Sequence, residues 1–418
     1  MRQVLLILLV SLAVLSRSAP ITSAQNPTTP TQTESDGREK PQLKKFGESL
    51  KRLKWDPTKQ RAVETDSTKK SETDAESVVR ITTDLVVCDF LVLDQQGQPV
   101  PSLTKDDFLI SEDNQPQQVA HFSLGNETKV GRSIVLVIDY SGSLAPYIDL
   151  SVNAAKKFID QLNPKDRVAI VTNEVTLLVD FTTDRLRLRK ALESIKITAV
   201  THKIHSFQFS ALLATAKEMF DEEDVRPIII FQTDGDEIDQ LQPPSSFTLS
   251  NSILRALIRP FSLDDVRAAI EKSHATLYSV IPAPRLIGLP EAEQLKRAQA
   301  DAEGVIISNG WGGDRFSRQP YHLDKKSVAE HLAFRLRGHS AVAEVAKSSG
   351  GWTSYLEDPK QAEGIYANIL TDINSRYELG YYPTNKTHDG KRRTISIMVR
   401  QHPEYRVWGR NSYLAPKD

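Results

Sequence analysis

What the 418-residue sequence lacks narrows its chemistry first. Cys88 is its only cysteine, which excludes an intramolecular disulfide, a thiolate metal cluster and a CxxC redox pair. An excess of charge is missing too. Its 53 basic and 54 acidic residues leave a formal net charge of −1, so no global field points to nucleic acid or an anionic membrane as the main partner. There is no GxxxxGK[ST] or GxGxxG loop to cradle a nucleotide, and no GxSxG or identifiable serine–base pair to support a hydrolase. What remains is ordinary globular material, 39% hydrophobic and long enough for about two or three domains. Cys88 lies in the strand-like run 86–90 and is expected to be a small core residue.

The amino terminus, residues 1–24, reads as a secretory signal. Arg2 precedes an apolar run over 4–15 that is short for a bilayer span, and Thr22-Ser23-Ala24 puts small residues where a signal peptidase needs them. An uncleaved membrane anchor is the alternative. Export of a chain with one cysteine points to a bacterial envelope, secreted or periplasmic, rather than to a disulfide-stapled extracellular domain. Residues 25–78, rich in Thr, Gln, Pro, Lys, Glu and Ser, are expected to form a disordered linker. Within them Leu43, Phe46, Leu50 and Leu53 recur at helical spacing among Lys44, Lys45, Lys51, Arg52 and Lys54. A short basic amphipathic helix there could touch membrane or a partner, as could the signal, but over so few residues a solvated linker with a nascent helix is the favoured reading.

Residues 79–128 carry a long strand pattern over 81–93, the turn Gln95-Gln96-Gly97-Gln98, a second strand after Asp106-Asp107 and a third over 119–122. From 129 to 376 strands and helices alternate, which predicts an α/β fold with a doubly wound, mostly parallel sheet. Buried strands are expected at 133–138, 227–232 and 275–281. The runs 167–172 and 176–181, joined by Asn173-Glu174, predict a tight hairpin and hence one antiparallel edge strand. Helices are expected at 185–195, 209–220, 292–302, 327–348 and 359–375. The excursion 282–326 is long for a compact core, a length usually functional or mobile. Residues 377–418 predict a β-meander with strands at 377–382, 394–400 and 405–408. Each flank is too short to bury much core alone, so the two are expected to pair into one sandwich-like domain.

The most informative stretch is SIVLVIDYSGS, residues 133–143. An apolar, β-branched run suited to burial on both faces ends in one carboxylate and two hydroxyls, Asp139, Ser141 and Ser143, and an amphipathic helix follows. Asp234 comes in Thr233-Asp234-Gly235, directly after the buried strand PIIIFQ. In a parallel sheet both loops leave the same carboxyl edge. The loop before the helix at 209 offers Ser206, with Thr201 and Ser210 as lesser candidates. Hard oxygen ligands on tight loops suit a divalent cation, Mg²⁺ first, with Mn²⁺ or Ca²⁺ as alternatives. Few direct carboxylates leave such an ion under-neutralised, so an acidic group of a partner protein completes its shell.

DxSxS followed by a helix, with TDG after a second buried strand, resembles the von Willebrand factor type A fold and its metal-ion-dependent adhesion site, over about residues 130–376. The resemblance implies a threonine on the third loop, near the place of Ser206 in Ser206-Phe207-Gln208-Phe209-Ser210-Ala211-Leu212. The runs Leu91-Val92-Leu93-Asp94 and Tyr377-Glu378-Leu379-Gly380-Tyr381-Tyr382-Pro383 look like the acidobacterial-type family of exported proteins related to this domain. That likeness implies an envelope or secreted location and a binding role.

Other candidates receive plainer readings. His202 and His205 are taken as exposed loop histidines, since no third zinc-type ligand is evident. Asp236, Glu237 and Asp239 are taken as a solvated acidic rim, and Tyr377, Tyr381, Tyr382, Trp408 and Tyr413 as core and edge packing. The expectation is therefore an exported, non-enzymatic, cation-dependent protein-binding module with no nucleic-acid role. A metal-independent envelope scaffold with a vestigial site is the alternative.

Overall fold

The structure is a computed structural model and describes residues 45–65, 85–124, 131–201, 206–221, 226–244, 257–308 and 323–417. The expected signal and most of the expected linker lie outside the described residues. The part of that linker which is described corrects the expectation of disorder. Glu48–Lys51 (α1) forms a helical turn, and Leu53–Asp56 (β1) pairs antiparallel with Arg61–Glu64 (β2). Phe46, Leu50, Leu53 and Ala62 pack into the apolar core of the central domain. The Glu218 carboxylate accepts from the N–H groups of Gly47 and Ser49 at 2.9 and 2.8 Å. The apolar positions at helical spacing, Phe46, Leu50 and Leu53, serve burial against the protein's own surface, with Leu53 in a strand and not in a helix.

Val86–Leu93 (β3), Phe108–Glu112 (β4), Gln115–Gln117 (β5) and Val119–Leu124 (β6) then lead into the α/β region. There Ser133–Ile138 (β7), Arg167–Thr172 (β8), Thr176–Thr182 (β9), Pro227–Gln232 (β10), Thr276–Ile281 (β11) and Thr353–Tyr355 (β12) form one sheet in the order β12-β11-β10-β7-β8-β9. Every pairing is parallel except β8 with β9, the expected hairpin edge. The short edge strand β12 has no apolar run to announce it, and the sequence reading missed it.

The helices are Ala145–Gln161 (α2), Arg185–Thr201 (α3), Gln208–Glu218 (α4), Leu263–Lys272 (α5), Glu291–Ser308 (α6), Lys325–Ser348 (α7) and Ala362–Ser375 (α8). Alternation along the strands explains the two layers. Ile134, Leu136, Ile228 and Ile230 face α2, α3 and α8, while Val135, Val137, Ile229 and Phe231 face α4, α5 and α7. Helix α6 runs past the expected 292–302, and Gly310 to Gly313 lie outside the described residues. Among the described residues no helix is long and apolar enough to cross a membrane.

Tyr377–Tyr381 (β13), Arg392–Val399 (β14), Arg406–Gly409 (β15) and Ser412–Leu414 (β16) close the chain. They do not form the expected meander. β13 inserts between β3 and β6, β15 pairs with β3, and β14 lies between β4 and β16. Two four-stranded antiparallel sheets result, each mixing strands from both flanks. Cys88, Phe90, Tyr377 and Tyr381 of one sheet meet Phe108, Ile110, Ile395 and Val399 of the other in a shared core. The reason is physical: an isolated hairpin is marginal in water, and each flank fills the open edges left by the other.

Candidate functional site

Register brings the site together. Ile138 lies level with Gln232 on the neighbouring strand, so the loops after β7 and β10 begin side by side at the carboxyl edge of the sheet. The Asp139 N–H donates to the Gln232 carbonyl at 3.0 Å, which fixes the start of the first loop. The third loop is pinned by the Phe207 N–H, which donates to the Asn173 carbonyl at 2.9 Å, and α4 starts at Gln208.

Asp139, Ser141, Ser143, Ser206 and Asp234 converge there. The Ser143 hydroxyl donates to Asp234 Oδ2 at 2.8 Å, and the Ser141 and Ser143 hydroxyls are 3.2 Å apart. Ser206 Oγ stands 3.4 and 3.3 Å from the two oxygens of Asp139. Asp139 Oδ1 accepts from the Ser141 N–H at 2.9 Å. Asp139, Ser141 and Asp234 are buried, while Ser143 and Ser206 are half-buried and form the open side. Of the lesser candidates, Ser210 turns its hydroxyl to Glu237, and the Thr201 side chain is outside the described residues, as are His202 and His205.

The donor set fits a hard cation. Octahedral ligands at about 2.0–2.1 Å from Mg²⁺ stand about 2.9 Å from one another. The oxygen separations here, from 2.8 to 3.4 Å, are close to that spacing before any contraction. Electrostatics points the same way. Burial, and then the neighbouring charge of Asp234, pushes the Asp139 carboxyl up to about 6. A cation would relieve both causes.

Three residues to which the sequence alone assigns no role complete the arrangement. Gln208 Nε2 donates to Asp139 at 2.9 Å and to Asp234 at 3.3 Å, bridging the carboxylates. The Thr233 hydroxyl donates to Asp139 at 3.3 Å. Arg335, on α7, donates through one nitrogen to Asp234 and Asp236 at 2.9 Å each and through Nε to Asp301 at 2.9 Å. Burial opposes the ionisation of Asp301, yet the hydrogen bond with His331 and the Arg335 charge bring its carboxyl down to about 2.

The acidic rim is a correction. Glu237 is fully buried, accepting from the Ser210 backbone N–H, the Ser210 hydroxyl and Arg259; Asp239 accepts both prongs of Arg337 at 2.8 and 2.7 Å. Each carboxylate has a basic partner, which is what permits it to leave water.

Residues 134–237 match the family model described as von Willebrand factor type A domain. The match spans β7 to β10 and the loops that carry the five oxygen donors. No curated protein matches the sequence. Among solved structures, similarity extends to an aerotolerance-related membrane protein from Bacteroides fragilis (14% identity, 58% of this chain and 99% of that one, TM-score 0.36). Manganese-loaded TRAP protein from Plasmodium vivax is 13% identical, with 75% and 100% covered and a TM-score of 0.29. Proximal thread matrix protein 1 from the mussel byssus, with a zinc-occupied MIDAS motif, is 9% identical, with 58% and 48% covered and a TM-score of 0.31.

Proposed function

We propose that this chain is an exported protein-binding module of the bacterial envelope. Its von Willebrand factor type A domain grips an acidic group of a partner through a divalent cation. One observation carries the reading: five oxygen-bearing side chains from three separate loops meet at one edge of the sheet, Ser141, Ser143 and Asp234 in contact at 3.2 and 2.8 Å, Ser206 and Asp139 at 3.3 and 3.4 Å, and the Gln208 amide joining the two groups. Asp139, Ser141, Ser143, Ser206 and Asp234 would hold the ion directly or through water, Mg²⁺ being preferred by the all-oxygen set. The ion, when bound, supplies an open coordination position for an outside carboxylate. Ser143 and Ser206 lie on the exposed side, while Gln208 holds Asp139 and Asp234 from behind and Thr233 also holds Asp139. In this reading the serines serve as ligands and not as nucleophiles: the Ser143 hydroxyl is donated to Asp234, which Arg335 also holds, and among the described residues no general base stands beside it in that role.

A second reading has its own observation. Gln208 and Arg335 satisfy both carboxylates from within the protein, as a metal-independent scaffold with a vestigial site would require. Isothermal titration with MgCl₂ separates the two. Wild-type protein is expected to bind, and Asp139→Ala to remain folded by circular dichroism while losing more than about a hundredfold in affinity. Partner capture from envelope extract is expected to fail equally in chelator and in the variant. No heat in wild type, or capture indifferent to chelator, leaves the scaffold.

A further inference from the structure

The 282–326 excursion supplies α6 and is closed by α7, a helix that covers the sheet. This α6–α7 insertion has a small core, Leu286, Ala298, Val328 and Leu332, yet its most buried charge belongs to the loop edge of the central sheet. Val328, Leu332, Arg335, His339, Val342 and Ala346 form one buried stripe of α7 at helical spacing, so a guanidinium occupies a position otherwise given to apolar side chains. A buried arginine is tolerated only when carboxylates surround it, and Arg335 has three: Asp234, Asp236 and Asp301. One of these, Asp234, is a proposed ligand. The backbones are joined as tightly as the charges. Gly235 has a φ of +77°, and a Cβ there would lie 2.8 Å from the Gly338 carbonyl oxygen; one on Gly338 would lie 2.9 Å from that of Gly235. Helix α7 therefore rests directly on the TDG loop. Helix α6, which supplies Asp301, lies against the Gly142–Leu144 turn of the first loop. The insertion thus touches both loops that carry the carboxylates.

We propose that Arg335 is a tethered counter-cation of the site: it sets the affinity for divalent ions and makes the α6–α7 insertion respond when an ion binds. The inference rests on the cation-binding reading of the site. Arg335 and an ion both draw on the charge of Asp234, so each weakens the other's hold. Asp301 acts in the opposite sense, since it draws Arg335 away from Asp234 and adds negative charge behind the site. The guanidinium also presets the specificity of the open position. Because Arg335 draws on part of the charge of Asp234, a bound ion meets less than the full charge of its two carboxylates and retains more of its own for an outside anion.

Titration of MgCl₂ into four proteins tests this: wild type, Arg335→Gln, Arg335→Lys and Asp301→Asn. Arg335→Gln is expected to bind at least about tenfold tighter than wild type, Arg335→Lys within about threefold of it, and Asp301→Asn at least about threefold weaker. Hydrogen exchange over residues 325–340 is expected to rise when Mg²⁺ is added to wild type and to be indifferent to it in Arg335→Gln. Equal or weaker binding by a folded Arg335→Gln overturns the proposal. Should that variant not fold, unchanged affinity in Asp301→Asn overturns it instead. Absence of heat in every protein defeats the cation-binding reading and this inference with it, whereas binding that is the same in all four defeats the inference alone.

Discussion

Two buried arginines in this molecule are surrounded in different ways. Arg376, where α8 passes into the sandwich, donates to Asp372 at 2.6 Å, Asp89 at 3.1 Å and the Gly350 carbonyl at 2.6 Å. Asp372 also accepts from the Tyr278 hydroxyl at 2.9 Å and the Trp352 indole at 2.6 Å, and Arg226 lies 4.0 Å from Asp89. Donors there fill the acceptors, and nothing is left for a ligand. Arg335 instead faces three carboxylates, with Asp139 beyond them pushed up to about 6 by burial and the charge of Asp234, and the Ser143 and Ser206 hydroxyls on the open side. A closed network is architecture. One with surplus negative charge and oxygens turned to a common point is equipped for another cation.

The sharpest way to break that contrast is to remove the architectural arginine. Arg376→Met leaves Asp372 and Asp89 without their cation and is expected to cost about 3–5 kcal/mol of stability. Urea unfolding with and without MgCl₂ checks this, the loss being the same in both. If Arg376→Met abolished Mg²⁺ binding while remaining folded, the two networks would be one system and the division drawn here would fail.

The same contrast explains what could be read in the chain. Asp139, Ser141, Ser143 and Asp234 were legible because they follow buried apolar runs, and parallel pairing fixes where such loops emerge. Ser206 was found from its place just before a helix. Gln208, two residues on, passed unnoticed because an amide at a helix start carries no spacing signal. Arg335 did leave a trace: read at spacings of three and four, the stripe Val328-Leu332-Arg335-His339-Val342 shows a cation and an imidazole on an apolar face, where neither belongs without a partner. The sandwich was anticipated as a pairing of flanks but not as an interleaving, because strand patterns give faces and not neighbours. At 45–65 the helical spacing of Phe46 and Leu50 was legible, but the hairpin and its docking were not, because its strands are short and mostly polar.

His339 offers a smaller, pH-dependent probe of the Arg335 network. Its ring is fully buried beside Tyr355, and neither nitrogen has a hydrogen-bond partner among the described residues. Burial first, and then the charge of Arg335, pulls the imidazole from 6.5 down to about 4. A base whose folded value is depressed favours folding fully above pH 6.5 and loses that contribution as the pH falls toward 4, here about 3 kcal/mol. The stability of wild type relative to His339→Leu should therefore decline between those limits when urea midpoints are compared at pH 7 and 4.5. Parallel curves would show that His339 is protonated and accommodated, and that the field around Arg335 is weaker than its partners imply.

The gentlest test lies on the open side of the site. Ser206 has the oxygen a third-loop ligand needs but only loose contacts, at 3.3 and 3.4 Å to Asp139 and 3.4 Å from the Asn173 amide. A serine hydroxyl so held samples several rotamers, and holding it on an ion costs entropy that a β-branched side chain has already lost. Ser206→Thr is accordingly expected to tighten Mg²⁺ binding by roughly two- to threefold, on the order of 0.5 kcal/mol, with unfolding in the absence of metal unchanged. A loss of affinity with unfolding unchanged would mean that the hydroxyl is not a ligand and that the third loop contributes only a wall. The cation would then rest on Asp139, Ser141, Ser143 and Asp234 alone, and the openness that distinguishes this network from the one around Arg376 would come from two loops and not three.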